Sequence, residues 1–450
     1  MIRGHLRNRV AIIGGGFSGT VLAIQLARRG VASVIVETRP QFARGAAYST
    51  REEEHLLNVP AGKMSPWPDA PGHFAERMMS KGVRPTDFVS RRDYGDYLEE
   101  QLRLASLGGA IRKVSGRAVS ARPDGSGWTI GLEDGRSIAG RALVLANGNQ
   151  PPSPMPVDGL PEARRIDDPW SETGRKAVAE VARTGAPVLL IGTGLTMVDV
   201  ALTLEADGYQ GEIVALSRRG QVPRAHLASL PAASATPELD ELPTRLSDLC
   251  RWMRARSDEV GEWRSVVDGL RPITQALWQR MGVAERARFL RHARPWWDVH
   301  RHRIAPDAAA RIAGMMARGQ MKVIAGRIAG AEEKGGLAEV RVALRGGGEA
   351  RVSAARVVNC TGPLTEIDRA ADPLLRQMLD EGLAAIDVLA LGLTVDGRDR
   401  LEGSSDAWAI GPMTKGRYWE ITAAPDIRVQ AERIADDITD ALTGATLIAV

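Results

Sequence analysis

Glycines at Gly14, Gly16 and Gly19 follow the apolar run Arg9–Ile13 and open the helically spaced stretch Thr20–Arg29, which Gly30 closes. This order of parts suits a dinucleotide. The first glycine permits a tight turn, the second lets the backbone approach a pyrophosphate, and the third allows close packing of helix on strand. The start of the helix offers unpaired N–H groups and a favourable dipole to the anion. Eighteen residues after Gly19, Glu37 ends the strand Ser33–Glu37, where a carboxylate can accept both hydroxyls of an adenosine ribose.

A second unit of the same kind begins with Pro187–Ile191, turns at Gly192-x-Gly194, enters a helix through Asp199–Ala206 and ends on the strand Glu212–Leu216. Its third motif position is Met197, which is expected to hold the helix slightly away from the strand. No acid ends its second strand; Arg218 and Arg219 follow instead. Arginine accommodates a 2′-phosphate that an acid would repel, so this site favours NADPH over NADH.

Two such units about 180 residues apart predict an α/β chain with two Rossmann-type dinucleotide-binding domains. Residues 1–160 would form the first part of one, 161–355 the other, and 356–450 the return to the first. Between them the helix Arg91–Leu104, the strands Trp128–Leu132 and Arg141–Leu145, and a proline-rich crossing at Asn149–Pro156 are expected. From about 224 to 319 the strand pattern stops, and tryptophans gather in a mostly helical insertion: Trp252, Trp263, Trp278, Trp296 and Trp297. Strands return at Met321–Ala325, Leu337–Leu344 and Ala355–Asn359, before a helix around Ile427–Leu442.

Composition narrows the function classes. The 450 residues are 44% hydrophobic and 25% charged, which describes a globular chain with a sizeable core. The 59 basic and 55 acidic residues are interspersed, so no nucleic-acid-binding arm is expected. The apolar run near the start is broken by glycines, so neither a signal peptide nor a membrane span is expected, and the chain reads as cytoplasmic. Cys250 and Cys360 alone make no disulfide framework or zinc site, and Cys360 reads as a buried strand-end residue. His292, His300 and His302 with Asp298 lack the acid or cysteine that would complete a metal set. They read instead as a polar helix face against the first domain, with Trp296 and Trp297 as core or interface residues.

Further phrases carry a resemblance. The series Asn58-Val-Pro60, Met64-x-x-Trp67-x-Asp69, Leu145-Ala-Asn-Gly148 and Leu216-Ser-Arg-Arg-Gly220 resembles the class B flavin-containing monooxygenases. His55–Met64, Trp296–Arg303 and Gly411-Pro…Trp419-Glu-Ile-Thr-Ala resemble bacterial FAD/NAD(P)-binding proteins of the YdhS-like type. The resemblance implies that Gly14, Gly16, Ser18, Gly19, Glu37, Met64, Asn147, Gly148, Thr361, Gly362 and Gly411 hold FAD. Gly192, Gly194, Arg218 and Arg219 would hold NADPH. It places Asn58 beside the flavin and the nicotinamide ribose, as the residue nearest the reaction.

The implied activity is transfer of hydride from NADPH to FAD and use of molecular oxygen to oxygenate a small heteroatom-bearing substrate. An amine is one such substrate, and a carboxylate-bearing amine would be read by Arg224 or Arg303. The alternatives are a flavin reductase serving another acceptor and a non-catalytic FAD-binding redox sensor. Two departures bear on oxygenation: no histidine stands in the linker Arg165–Trp170, and Leu195-Thr196 replaces the family's Asn-Ser.

Overall fold

A computed structural model describes residues 9–125, 127–229 and 231–448; the basic opening residues 1–8 lie outside it. Along the chain come β1 (Val10–Ile13), β2 (Ser33–Glu37), β3 (Ile111–Ser115), β4 (Ala118–Pro123), β5 (Trp128–Leu132), β6 (Ser137–Gly140) and β7 (Ala142–Leu145). Then follow β8 (Arg165–Ile166), β9 (Val188–Ile191), β10 (Ile213–Ser217), β11 (Met321–Lys334), β12 (Leu337–Leu344), β13 (Glu349–Ala354), β14 (Arg356–Asn359) and β15 (Ala407–Ala409).

Two sheets organise the molecule. The first, in the order β15-β7-β1-β2-β3, is parallel throughout, with Ile13 level with Val36 on one side and Leu145 on the other. The second, in the order β13-β12-β11-β10-β9-β14-β8, is parallel around β9 and antiparallel at its β12–β13 edge. Every residue of β1, β7 and β9 is buried. Their continuous apolar runs fit a parallel sheet covered on both faces.

On one face of the first sheet lie the helices Phe17–Arg28, Arg91–Ser106 and Ala424–Ile448. The antiparallel trio β4–β6 and the helix Pro373–Asp380 cover the other. The second sheet packs the helices Glu172–Thr184, Leu195–Ala206 and Pro306–Ala317 on one face. The fold is therefore α/β with two dinucleotide-binding domains, and no described helix is long and apolar enough to cross a membrane.

One detail differs from the sequence reading. β14 pairs with β9 and β8, so the segment beginning at 356 stays in the second domain, and the return to the first comes after Asn359. The insertion carries no named strand among its described residues. Its helices Leu246–Val260, Trp263–Gly269, Thr274–Arg280 and Arg294–Arg301 follow an extended stretch after β10. Although it interrupts the second domain in sequence, it docks on residues late in the first: Trp278 Nε1 donates to the Gly416 carbonyl at 3.0 Å and Gln275 Nε2 to the Glu420 carbonyl at 2.9 Å.

Candidate functional site

The carboxyl ends of β1 and β9 carry the two glycine turns, where an open α/β sheet presents its ligand site. Gly14 has φ +110° and Gly192 φ +111°, conformations that favour glycine. At each, an added Cβ would meet a carbonyl from the neighbouring strand end, Ala146 O or Cys360 O, both at 2.2 Å. The helices Phe17–Arg28 and Leu195–Ala206 start at Gly16 and Gly194 with no side-chain cap and no acid in the first turn. By contrast, Ser90, Ser171 and Asp372 cap their own helices with side-chain oxygens. The uncapped N–H groups and the dipole are thus left to an anion.

The first turn fits the ADP half of FAD. Gly19 packs so tightly that a Cβ would lie 2.0 Å from the Gly14 carbonyl. Glu37 is buried and accepts the Gly15 N–H at 2.7 Å and the Arg39 N–H at 2.8 Å. Each of its oxygens keeps a lone pair for a ribose hydroxyl. Gly411, at φ +67°, leaves so little room that a Cβ would lie 2.5 Å from Ser18 Oγ, so the loop after β15 closes on this helix start. Asn147 reaches Asp372 at 3.4 Å through its amide nitrogen, while its buried Oδ1 has no partner. Gly148, at φ +68°, has open space beside it. Met64 sits deeper, buried in the core with its carbonyl accepting from Tyr94 at 2.6 Å.

The second turn fits a second dinucleotide and is open. Nothing lies within 4 Å of a Cβ built on Gly194, and the turn Gly192–Thr196 lines a cavity of about 400 Å³. Met197 is fully buried in the domain core, yet the glycine φ and the helix start match those of the first turn. The missing third glycine leaves the turn itself unchanged. Thr361 and Gly362, read as a flavin-side strand end, follow β14, the neighbour of β9, and line this same cavity. Arg218 is exposed just past β10, whereas Arg219 donates to the His292 carbonyl at 3.1 Å. Neither lines the cavity.

Asn58 does line it. The loop carrying Asn58 is fastened to the second domain by neighbours on either side. His55 Nε2 lies 2.9 Å from Thr203 Oγ1, and the partly buried Arg91 pairs with the buried Asp199 at 2.9 Å. Burial pushes the His55 pKa down. His226 Nε2 donates to the Asn58 carbonyl at 3.2 Å. Burial, aided by Arg303, pushes the His226 pKa down to about 4, so this ring is neutral near pH 7.

Sequence reasoning missed most of the opposite wall: Arg294, Asp298, His302, Lys415, Trp419 and Glu420. The phrases Trp296–Arg303 and Gly411…Trp419-Glu carry a signal, the first as a polar helix face against the first domain and the second through the resemblance, but neither reading makes them a cavity wall. Burial, reinforced by Arg294 and partly offset by Asp298, pushes Lys415 down to about 8. Glu420 accepts Trp297 Nε1 at 2.7 Å and pairs with Arg301 at 3.2 Å. Burial raises the Asp298 pKa, offset by His302 and Arg294. Arg303 is buried against Asp268 and Arg224 is exposed, and neither lines the cavity. Arg294 and Lys415 are the cations that do. Cys360 is buried, and desolvation pushes its thiol pKa up.

Comparisons with known proteins bear on the fold and on its first domain. Residues 11–150 match the model of the NAD_binding_9 family, described as FAD-NAD(P)-binding, and so form an FAD/NAD(P)-binding domain. No curated protein matches the chain in sequence. Among solved structures, the ornithine N-hydroxylase KtzI of Kutzneria sp. 744, solved with FAD, NADP+ and L-ornithine, aligns over 96% of this chain and 98% of its own with TM-score 0.66 and 14% identity. The ornithine hydroxylase PvdA of Pseudomonas aeruginosa aligns over 97% and 99% with TM-score 0.65 and 16% identity. The bacillithiol disulfide reductase Bdr of Staphylococcus aureus aligns over 96% and 97% with TM-score 0.58 and 12% identity. The shared property is the fold with two dinucleotide domains, which hosts more than one chemistry.

Proposed function

We propose that this chain is an NADPH-dependent FAD oxidoreductase that oxygenates a small substrate at a heteroatom such as an amine nitrogen. The observation that carries the reading is convergence on one cavity. Asn58 of the first domain, the open turn Gly192–Thr196 of the second, the strand end Cys360–Gly362 and Lys415 all line it.

FAD, when bound, supplies hydride acceptance and reaction with oxygen; the protein supplies binding, orientation and exclusion of water. Gly14, Gly16, Gly19 and Glu37 would hold its ADP half, with Ser18 and Gly411 shaping the approach. Gly192 and Gly194 would take the NADPH pyrophosphate on uncapped N–H groups, and the exposed Arg218 would meet the 2′-phosphate. Asn58 presents an amide to the cavity from a loop fixed by His55 and Arg91, so it orients rather than transfers protons. An amine substrate brings its own lone pair and needs no base. The fold of the ornithine N-hydroxylases supports this reading. A disulfide reductase needs two thiols in exchange, whereas here Cys360 is buried and Cys250 sits on the insertion helix Leu246–Val260.

Rapid mixing of FAD-loaded protein with NADPH in aerated buffer tests it. The expected result is bleaching of the flavin absorbance followed by slow reoxidation, with amines or thioethers drawing NADPH consumption into product rather than peroxide. Immediate reoxidation to peroxide with every substrate would make the protein an oxidase or reductase. Absence of bleaching would remove the NADPH assignment.

A further inference from the structure

A second cavity, of about 420 Å³, lies inside the helical insertion and takes no part in cofactor binding as described above. Leu246, Leu249, Cys250, Met253 and Ser257 line one side. Their spacing on the helix Leu246–Val260 makes them a single face. Trp263, Trp278, Trp296, Trp297 and Phe289 line much of the rest. The volume falls within the roughly 300–1,000 Å³ of small-molecule sites.

One residue ties this cavity to the redox cavity. Trp419 lines both. Its indole stacks on Trp278 at 5.3 Å and meets Phe289 edge-on at 5.3 Å. Its backbone, at φ 55° and ψ −68°, forms a γ-turn closed by the Glu420 N–H on the Tyr418 carbonyl at 2.6 Å. That turn is rare and strained for a residue with a side chain. Its buried Nε1 has no partner. At the far end Trp296 is 50% exposed, so the cavity meets solvent there.

The ring faces decide what fits. Arg294 lies over Trp419 at 5.5 Å, Arg286 over Trp278 at 5.3 Å and Arg264 over Trp263 at 4.4 Å. A cationic guest would find these faces already taken by guanidinium groups and would be repelled. Indole edges and the Met253 thioether favour a neutral aromatic ring.

Resting on the oxidoreductase reading above, we propose that the substrate is an arylalkyl compound. Its aromatic ring occupies the insertion cavity, and its reacting heteroatom passes Trp419 into the redox cavity. Trp419 is the wall the two parts of the substrate share.

Calorimetric titration of the FAD-loaded full chain with 2-phenylethylamine and with ethylamine tests this without any turnover. The phenyl compound is expected to bind about tenfold to a hundredfold more tightly, the range that burial of one aromatic ring supplies. Met253→Trp, which fills the cavity, removes that advantage; Ser257→Trp, nearer the rim, does the same should the first variant not fold. FAD retention and thermal unfolding check the fold of each. Equal affinity for the two amines, no detectable binding of either, or an undiminished preference in a folded tryptophan variant would overturn the inference. Wild-type bleaching by NADPH, measured on the same preparation, reports on the flavin reading separately. Bleaching without a phenyl preference sinks this proposal alone, and a phenyl preference without bleaching sinks the other.

Discussion

The two strand–turn–helix units share a backbone plan and differ in what surrounds it. Each first glycine sits near φ +110° against a neighbouring carbonyl, and each helix starts uncapped. Around the first turn the chain closes: the Ala43 N–H bonds the Gly15 carbonyl at 2.7 Å, Gly45 approaches Gly16, and Gly411 presses on Ser18. Around the second turn nothing comes near Gly194. The difference is the one expected between a group held through many turnovers and one that must enter and leave. A closed cradle makes exchange slow, while an open one leaves affinity to a few charged contacts.

The sharpest way to break this comparison is to place one methyl group in each turn. Gly14→Ala forces a Cβ against Ala146 O at a backbone angle hostile to side chains. It should cost about 2–4 kcal/mol of stability and yield protein without FAD, read from the visible spectrum and thermal unfolding. Gly194→Ala meets no atom and should keep FAD and stability, while raising the KM for NADPH as the backbone approach is obstructed. Equal behaviour of the two variants would end the distinction between closed and open turns.

Glu37→Gln comes next. The carboxylate holds two backbone N–H groups in the first unit, and an amide oxygen accepts them more weakly. Loss of a charge-assisted bond is worth about 1.5–3 kcal/mol. FAD affinity should fall roughly tenfold to a hundredfold by that figure, measured by reconstitution of the apoprotein. The second unit has no acid at this place. Arg218→Ala there should weaken NADPH about tenfold, the scale of one charge-assisted contact, and leave NADH unchanged. Arg219→Ala should do less, because that guanidinium is engaged with the His292 carbonyl. Equal losses for the two nucleotides would remove the 2′-phosphate assignment.

How much of this the sequence could disclose follows from range. Both turns were legible because strand, glycines, helix and second strand are consecutive, and β2, β5 and β12 fall where the residue pattern places them. β15 and the helix Glu172–Thr184 escaped: the first has three residues, and the second carries its apolar side chains on a narrow stripe in a polar segment. That Thr361 and Gly362, read as a strand end near FAD, stand beside Gly192 was not legible, because a strand's neighbours are a tertiary fact given only by the β14–β9 pairing. The cavity wall at Asp298, Lys415 and Glu420 joins two phrases more than a hundred positions apart, and nothing local in either tells that they meet.

Lys415 on that wall gives a pH test with a defined sign. Burial lowers its pKa from 10.5 to about 8, so the folded chain releases this proton before the unfolded chain does. Between those values the unfolded state binds more protons, and stability gains with rising pH. Below pH 8 both states are charged and the folded state bears the full penalty. The thermal midpoint of the wild type relative to Lys415→Met should therefore climb from about pH 8 to 10.5 and be flat below. A difference that falls over that window would place the lysine in an environment favouring its charge.

The smallest expected effect concerns the residue with the most reactive side chain. Cys360 in the second unit occupies the place of Ala146 in the first: each sets its carbonyl close against the glycine of its turn and is buried at the end of a strand. If the two units are related as the backbone indicates, the Cys360 thiol is packing, and Cys360→Ala replaces it with what the first unit uses. Removing one buried sulfur should cost about 1 kcal/mol or less on the scale of small core truncations. NADPH-driven bleaching should then proceed at the wild-type rate in stopped flow. A large loss of reduction with the fold intact would show that the thiol acts in the chemistry. The kinship would then lie with the disulfide reductases that share this fold, and the equivalence of the two strand ends would hold for the backbone only.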